Sequence, residues 1–235
     1  MSLKKNFFHL FVVQISNYIF PLITLPYLGR TLGVGNFGRL IFAAAIVQYF
    51  ILVTDYGFSL SATRTIAINK NNRKVISNVF SSVLYAKILL MLVCFVLLNV
   101  VYFCVPDVSL SLLYISFLAV IGNILFPFWF FQGIESVKEV SYLTTISKFI
   151  VFIGIFIFVK KPDDINQAAF FQSSAMVISG VLSLLYLKKR NIVDVHYPDI
   201  SSIKREFLSG FSLFLSTVAT SFYTTLNVVI LGFYS

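Results

Sequence analysis

The fold is decided by residues 33–64, which read GVGNFGRLIFAAAIVQYFILVTDYGFSLSATR. Arg39 and Arg64 bracket 24 residues that are almost all apolar. A helix rises about 1.5 Å per residue, so this run is long enough to cross a hydrocarbon core of about 30 Å. Gln48, Asp55 and Ser59 are spaced seven and four residues apart, which places them on one helical face. The stretch therefore predicts a membrane-spanning helix with a narrow polar stripe.

Asp55 is the residue of this stretch that most needs an explanation. A carboxylate inside a membrane is costly, and such residues usually serve a transport path or pair with a cation. Lys87 lies within the next apolar run, and two antiparallel neighbouring helices would place it at a similar depth. We expect Asp55 and Lys87 to meet; the alternative is that Lys87 extends its side chain to the membrane surface.

The composition of the whole chain supports a membrane protein. It is 58% hydrophobic and 11% charged, with a mean hydropathy of +0.91, whereas a soluble domain is about a quarter charged. The net charge of +9 is divided among short loops, which argues against a nucleic-acid partner. The sequence has no P-loop, no CxxC pair and no Cys/His cluster. We therefore expect an all-α polytopic membrane protein that is not an enzyme and holds no metal or cofactor.

Seven apolar runs are long enough to span a membrane. Pro21 and Pro26 predict a kink or unwound turn near the outer end of the first span. The glycine-rich segment 28–38 predicts a tight hairpin before the second span. In the fourth span, Pro127 predicts a kink and Trp129 an interface residue. The predicted spans are 7–28, 39–62, 77–104, 109–131, 141–159, 167–187 and 208–232.

The order of these spans suggests three parts. Residues 1–187 form a six-helix lobe, 188–206 a cytoplasmic linker with an interfacial helix, and 207–235 the first helix of a second lobe. A shift of 203 residues aligns 8–29 with 211–232, with five identities, as expected of repeat-built transporters. We interpret the sequence as a piece of a longer protein, because it ends just after the seventh span.

The loop charges predict the orientation. With the N-terminus in the cytoplasm, the inner segments hold twelve Lys and Arg residues and the outer segments four. Positively charged residues are retained on the cytoplasmic side, so this difference predicts an N-in topology.

Further polar residues are candidates for a substrate path. Lys148 shares a helical face with Ser141, Thr144 and Thr145. The seventh span carries a stripe of hydroxyl and amide side chains, which helix packing also uses. Arg30 and Arg39 fall at the predicted outer mouth, where they are either path residues or interface anchors. The stripe consists of Ser209, Ser212, Ser216, Thr220, Tyr223 and Asn227.

Three segments carry a resemblance to a known family. They are FPLITLPYLGRTLGVGNFGRL (20–40), QYFILVTDYGFSLSATRTIA (48–67) and FPFWFFQGIE (126–135). The chain resembles bacterial O-antigen flippases of the Wzx type, in the multidrug/oligosaccharidyl-lipid/polysaccharide exporter superfamily. The resemblance implies two six-helix lobes around a central cavity in the bacterial inner membrane. It also implies transfer of undecaprenyl-pyrophosphate-linked oligosaccharide from the inner to the outer leaflet. The implied partners are membrane lipids, a polysaccharide polymerase and glycosyltransferases.

On this resemblance the substrate path would combine cations for phosphate with hydroxyl and amide groups for sugar. Lys87 and Lys148 outnumber Asp55 within the spans, which predicts a net-positive interior, and Asp55 would serve coupling to H⁺ or Na⁺. The alternatives are a drug or cation antiporter of the same superfamily and a non-catalytic scaffold of polysaccharide assembly. The candidate path residues are Arg30, Arg39, Gln48, Asp55, Lys87, Lys148, Ser216, Thr220 and Asn227.

Overall fold

The computed structural model describes the backbone of residues 3–104 and 109–234, and the side chains of 18–103 and 109–220. The described chain is helical, which confirms the predicted all-α class. A single 3-10 turn, Pro162–Asp164, precedes α7. The helices are α1 Leu3–Asp55, α2 Phe58–Ile68, α3 Arg73–Cys104, α4 Leu110–Leu125, α5 Phe128–Gly133, α6 Val137–Phe158, α7 Ile165–Lys189 and α8 Ile200–Tyr234.

The helices are long and apolar enough for a polytopic membrane protein. Within the described residues, five helical stretches qualify as membrane spans by length and composition: 18–68, 73–103, 110–133, 137–158 and 162–189. One face of α3 exposes Leu89, Leu92, Val96 and Val100. An apolar face of this kind belongs against lipid, so the chain is a multi-pass membrane protein. The count of seven spans stays a prediction.

Between the first two predicted spans, α1 departs from helical backbone at one residue, Gly33. Gly33 has φ 74° and ψ 164°, and this left-handed region is open to glycine at little cost. Pro21 and Pro26 lie inside helical backbone, so the chain does not unwind at them, and the kink that they also predicted stays a prediction. The predicted hairpin over 28–38 is likewise helical except at Gly33.

The second predicted span is not one helix, as the sequence suggested, but two. α1 ends at Asp55, and Tyr56 and Gly57 both have positive φ angles, of 44° and 75°. α2 then starts at Phe58. The apolar pattern continues across this interruption, which is why hydropathy alone did not reveal it. We call residues 55–57 the first break.

The fourth predicted span is also interrupted, at Phe126 and Pro127. Phe126 is extended, and α5 begins one residue after the proline, as Pro127 predicted. Trp129 is only 4% exposed and lies beside Phe80, so its prediction as an interface residue is wrong. We call Phe126–Pro127 the second break.

The core is centred on α4 and α7, which pack closely along glycines. A Cβ built on Gly122 would lie 2.5 Å from the Val177 backbone nitrogen, so only glycine allows this approach. Membrane helices associate through close packing of such small residues, because the hydrophobic effect contributes little to helix association within lipid. A separate aromatic cluster joins α2, α3 and α5 through Phe58, Phe80 and Phe130, each no more than 1% exposed.

The segment between α7 and α8 follows the surface of α3. The backbone N–H groups of Asp194 and His196 donate to the Ser77 and Ser81 hydroxyls at 3.0 and 3.1 Å. α8 starts at Ile200 and continues unbroken to Tyr234, so the residues predicted as a separate interfacial helix are the first turns of α8. The division into two lobes and a linker stays a prediction.

Candidate functional site

The first break positions Asp55 between two helix ends. Asp55 is the last residue of α1, and Tyr56 and Gly57 separate it from the start of α2 at Phe58. The N-terminus of a helix presents free N–H groups and a partial positive charge, which favours a carboxylate there. Ser59, in the first turn of α2, donates its hydroxyl to both carboxylate oxygens of Asp55, at 2.8 and 2.7 Å.

Lys87 completes the site from the neighbouring helix α3. Its Nζ lies 2.8 Å from Oδ1 of Asp55, so the predicted contact between the two residues is confirmed. Asp55 is 13 residues from the Ile68 end of α2, and Lys87 is 14 residues from the Arg73 end of α3. Both therefore lie about 20 Å from the Asn69–Asn72 loop, at the depth of the membrane interior.

The two members of the pair differ in exposure. The side chain of Asp55 is 30% exposed, whereas that of Lys87 is 3% exposed. The carboxylate thus covers the ammonium group and faces the open side of the site. Lys87 is thus neutralised and enclosed in the described structure, and the net-positive interior stays a prediction.

α8 packs against the backbone of the first break. The backbones approach so closely that a Cβ on Gly57 would lie 2.7 Å from the Gly210 oxygen. The ring of Tyr56 stacks on Phe214, with centroids 4.6 Å apart. The first residues of the seventh predicted span therefore hold the backbone that carries Asp55.

A cleft lined by polar and apolar side chains opens two turns along the same face of α1. It has a volume of about 180 Å³ and lies between α1, α4 and α7. Gln48 and Gln172 line it from α1 and α7, together with Ser116 of α4 and Ser173 of α7. Ser173 donates its hydroxyl to the Ser116 carbonyl at 3.3 Å, which joins α7 to α4 at the cleft.

Comparison with known proteins assigns the chain to a family. The sequence model of the family described as Polysaccharide biosynthesis protein matches residues 3–235. The chain belongs to this family. Two relatives are each named "Putative O-antigen transporter". The one from Escherichia coli (strain K12) is 37% identical over 237 residues, and the one from Shigella dysenteriae is 38% identical over 234.

The alignments cover nearly all of this chain but a smaller share of each relative. They take in 100% and 99% of this polysaccharide biosynthesis family member, but 57% of the Escherichia coli relative and 59% of the Shigella dysenteriae one. The chain thus spans somewhat over half the length of these relatives. No solved structure matches it.

The remaining predicted path residues of this family member lie apart from the ion pair. Lys148 is half-buried in α6, on the face that carries Thr144 and Thr145. Ser216 and Thr220 are exposed on α8, and their hydroxyls donate to carbonyls one turn earlier, at 3.2 and 3.0 Å. Asn227 belongs to α8, but its side chain lies outside the described residues.

The two arginines predicted at the outer mouth flank the break at Gly33. Arg30 and Arg39 are both exposed. Arg39 makes a long contact of 3.5 Å to Asn36, which in turn donates to the Pro162 carbonyl at 2.8 Å. Arg39 is 16 residues from Asp55, about 24 Å along α1, so the arginines and the ion pair form separate sites.

Sequence reasoning missed three residues of the cleft and one contact of the break. Ser116, Gln172 and Ser173 lie in apolar runs. The one sequence signal that could have identified them is that they are polar residues within those runs. Gly210 was missed because its role depends on the close approach of α8 to Gly57. The described residues contain no group of three His, Cys, Asp or Glu side chains suited to a metal ion.

Proposed function

We propose that this chain forms the N-terminal lobe, and the first helix of the second lobe, of a transporter in the bacterial inner membrane. The substrate is an undecaprenyl-pyrophosphate-linked oligosaccharide, moved from the inner to the outer leaflet. The observation that carries this proposal is a partly exposed polar surface at membrane depth, formed by Gln48 and Asp55 of α1 and Ser59 of α2. Polar groups are costly in hydrocarbon, so such a face fits a hydrated path.

The phosphates of this substrate need cations where water is scarce. Charge-assisted hydrogen bonds to phosphate are among the strongest polar contacts in proteins. Lys87 is held by Asp55. Lys148 is the candidate within the membrane, and Arg30 and Arg39 are candidates at the predicted outer end. Coupling to an ion gradient would act through Asp55, by protonation or by exchange of Lys87 for another cation.

Two alternatives fit the site less well. A drug or cation antiporter needs an anionic cavity, whereas Asp55 is already neutralised by Lys87. A scaffold of polysaccharide assembly has no need of polar side chains exposed at membrane depth. The names of the two relatives also favour transport over catalysis.

For the orientation we propose a cytoplasmic N-terminus, on the strength of the loop charges. A cysteine at Asn71, in a variant free of Cys94 and Cys104, should resist an impermeant thiol reagent in intact cells. A cysteine at Asp107 should react. The reverse labelling pattern would contradict the N-in orientation.

Deletion of the gene for this chain tests the transport function. We expect lipid-linked oligosaccharide to accumulate on the inner leaflet and surface polysaccharide to fall, with both restored by the plasmid-borne gene. A scaffold would instead lower the amount of lipid-linked oligosaccharide that is made. Altered drug tolerance with normal surface polysaccharide would identify an antiporter.

Lys148 allows the phosphate contact to be tested in the same strain. Lys148→Glu, supplied from the plasmid at normal protein level, should fail to restore surface polysaccharide, because it repels phosphate. Lys148→Arg keeps the charge and should restore most of it. Full restoration by Lys148→Glu would remove Lys148 from the path.

A further inference from the structure

We infer that the cleft between α1, α4 and α7 binds one uncharged sugar ring of the transported oligosaccharide. This assignment rests on the proposed function and makes it more specific. In this assignment Gln48 and Gln172 form hydrogen bonds with sugar hydroxyls, and the sugar binds at a different place from the ion pair at Asp55.

The size of the cleft suits a single ring. Its volume is about 180 Å³. Sites for drug-sized ligands usually begin at about 300 Å³, so an antiporter substrate of that size is a poor fit. The space exists because Ala44, Ala119 and Ala169 line it with small side chains.

The polar groups of the cleft can both donate and accept hydrogen bonds. Each glutamine carboxamide offers two N–H donors and an acceptor oxygen, which matches the mixed donor and acceptor character of a sugar hydroxyl. Gln48 is exposed and Gln172 is half-buried, and no described residue makes a hydrogen bond to either carboxamide. Both are therefore open to a ligand from the cleft.

The absence of charge among the described residues that line the cleft argues for the sugar rather than the phosphate. None of them is Asp, Glu, Lys or Arg. A phosphate placed there would be an uncompensated charge beside Leu40, Val47 and Ile51, which costs several kcal/mol. The same aliphatic side chains suit the C–H faces of a sugar ring.

The position of the cleft also fits a head group that carries both a sugar and a pyrophosphate. Gln48 is seven residues from Asp55 on the same face of α1, about 10 Å toward the Gly33 end. An oligosaccharide that enters along this face would meet the cleft and the ion pair at separate positions.

Equilibrium binding to the purified full chain tests the assignment. The two probes are undecaprenyl pyrophosphate carrying one N-acetylhexosamine and undecaprenyl pyrophosphate without sugar. The double variant Gln48→Leu/Gln172→Leu should bind the glycosylated lipid about tenfold more weakly or worse, because two hydrogen-bonding groups are lost. Its binding of the sugar-free lipid should be unchanged. Gln167→Leu, an exposed glutamine of α7 away from the cleft, should change neither.

A second variant tests the space instead of the hydrogen bonds. Ala44 is exposed, so Ala44→Leu should fold normally while filling the cleft, and it should also weaken the glycosylated lipid selectively. Equal loss of both lipids, or wild-type binding of the glycosylated lipid by both the double variant and Ala44→Leu, would overturn the sugar site alone. If the wild-type chain bound neither lipid, the proposed function would fail and the sugar site with it.

Discussion

The two broken spans are built alike but differ in chemistry. In each, a glycine of another helix touches the interrupted backbone: Gly210 of α8 at the first break and Gly180 of α7 at the second. A Cβ on Gly210 would lie 2.7 Å from the Tyr56 carbonyl oxygen, and one on Gly180 2.6 Å from the Leu125 Cβ. Helix packing through glycine therefore supports both interruptions.

The surroundings of the two breaks set them apart. The first holds the Asp55–Lys87 ion pair, while the second is followed by Trp129 and Phe130, both at most 4% exposed. The helices that follow the two breaks are joined, since the Thr63 hydroxyl of α2 donates to the Trp129 carbonyl of α5 at 3.0 Å. The comparison teaches that an interrupted membrane helix is not in itself a site. The partly exposed charge at the first break is what suggests function there.

The largest effect is expected when the first break loses its glycine. Gly57→Ala places a Cβ at φ 75°, which is strained, and drives it against Gly210 and Leu213, both within 3 Å. Strain and overpacking each cost about 1–3 kcal/mol, so we expect little folded protein. Size-exclusion chromatography of the full chain in detergent measures this yield.

Gly38→Ala is the matched control for this loss. Gly38 has open space around it and helical backbone, so alanine there should be neutral or slightly stabilising. If Gly57→Ala gave as much folded protein as Gly38→Ala, the close approach of α8 to the first break would be contradicted.

A smaller effect is expected from unpairing the charges at the first break. Lys87→Met leaves Asp55 without its cation, and we expect a loss of roughly 2–3 kcal/mol, since Asp55 is partly exposed. The double variant Asp55→Asn/Lys87→Met removes both charges and should recover part of the stability. Thermal unfolding of the purified chain gives both values.

An exposed ion pair supplies the reference for Lys87→Met. Lys70 and Glu135 lie 3.1 Å apart with side chains 46% and 73% exposed, so Lys70→Met should cost at most about 1 kcal/mol. A double variant at Asp55 and Lys87 that is no more stable than Lys87→Met would show that the two residues are not energetic partners.

The sequence predicted the elements that depend on hydropathy and local chemistry. The all-α class, the interruption at Pro127 and the meeting of Asp55 with Lys87 followed from apolar length, from a proline and from two charges at equal depth. These features need no knowledge of distant packing, so they could be derived without a structure.

The features that depend on distant contacts were missed. The first break depends on contact with Gly210, which lies 153 positions further along the chain than Gly57. The sequence near Gly57 does not indicate this contact. The cleft needs Gln48 and Gln172 to face one space, which only the packing of α1 on α7 provides.

The smallest effect is expected from the proline of the second break. If packing rather than Pro127 holds this interruption, Pro127→Ala should cost about 1 kcal/mol or less, the size of a proline's restriction of the unfolded chain. Trp129 is the chain's one tryptophan and lies two residues away, so its fluorescence maximum reports on the break and should not shift. Surface polysaccharide should be normal, because the second break holds no charge of the proposed path.

Gly180→Ala separates packing from proline at this position. Its Cβ would meet Leu125 and the Phe126 nitrogen within about 3 Å, so it should destabilise the protein by about 1–3 kcal/mol and shift the Trp129 emission. The proline alone would account for the second break if Pro127→Ala shifted the emission and Gly180→Ala did not. The similarity between the two breaks would then end at their shape, since the first one has a close glycine contact and no proline at all.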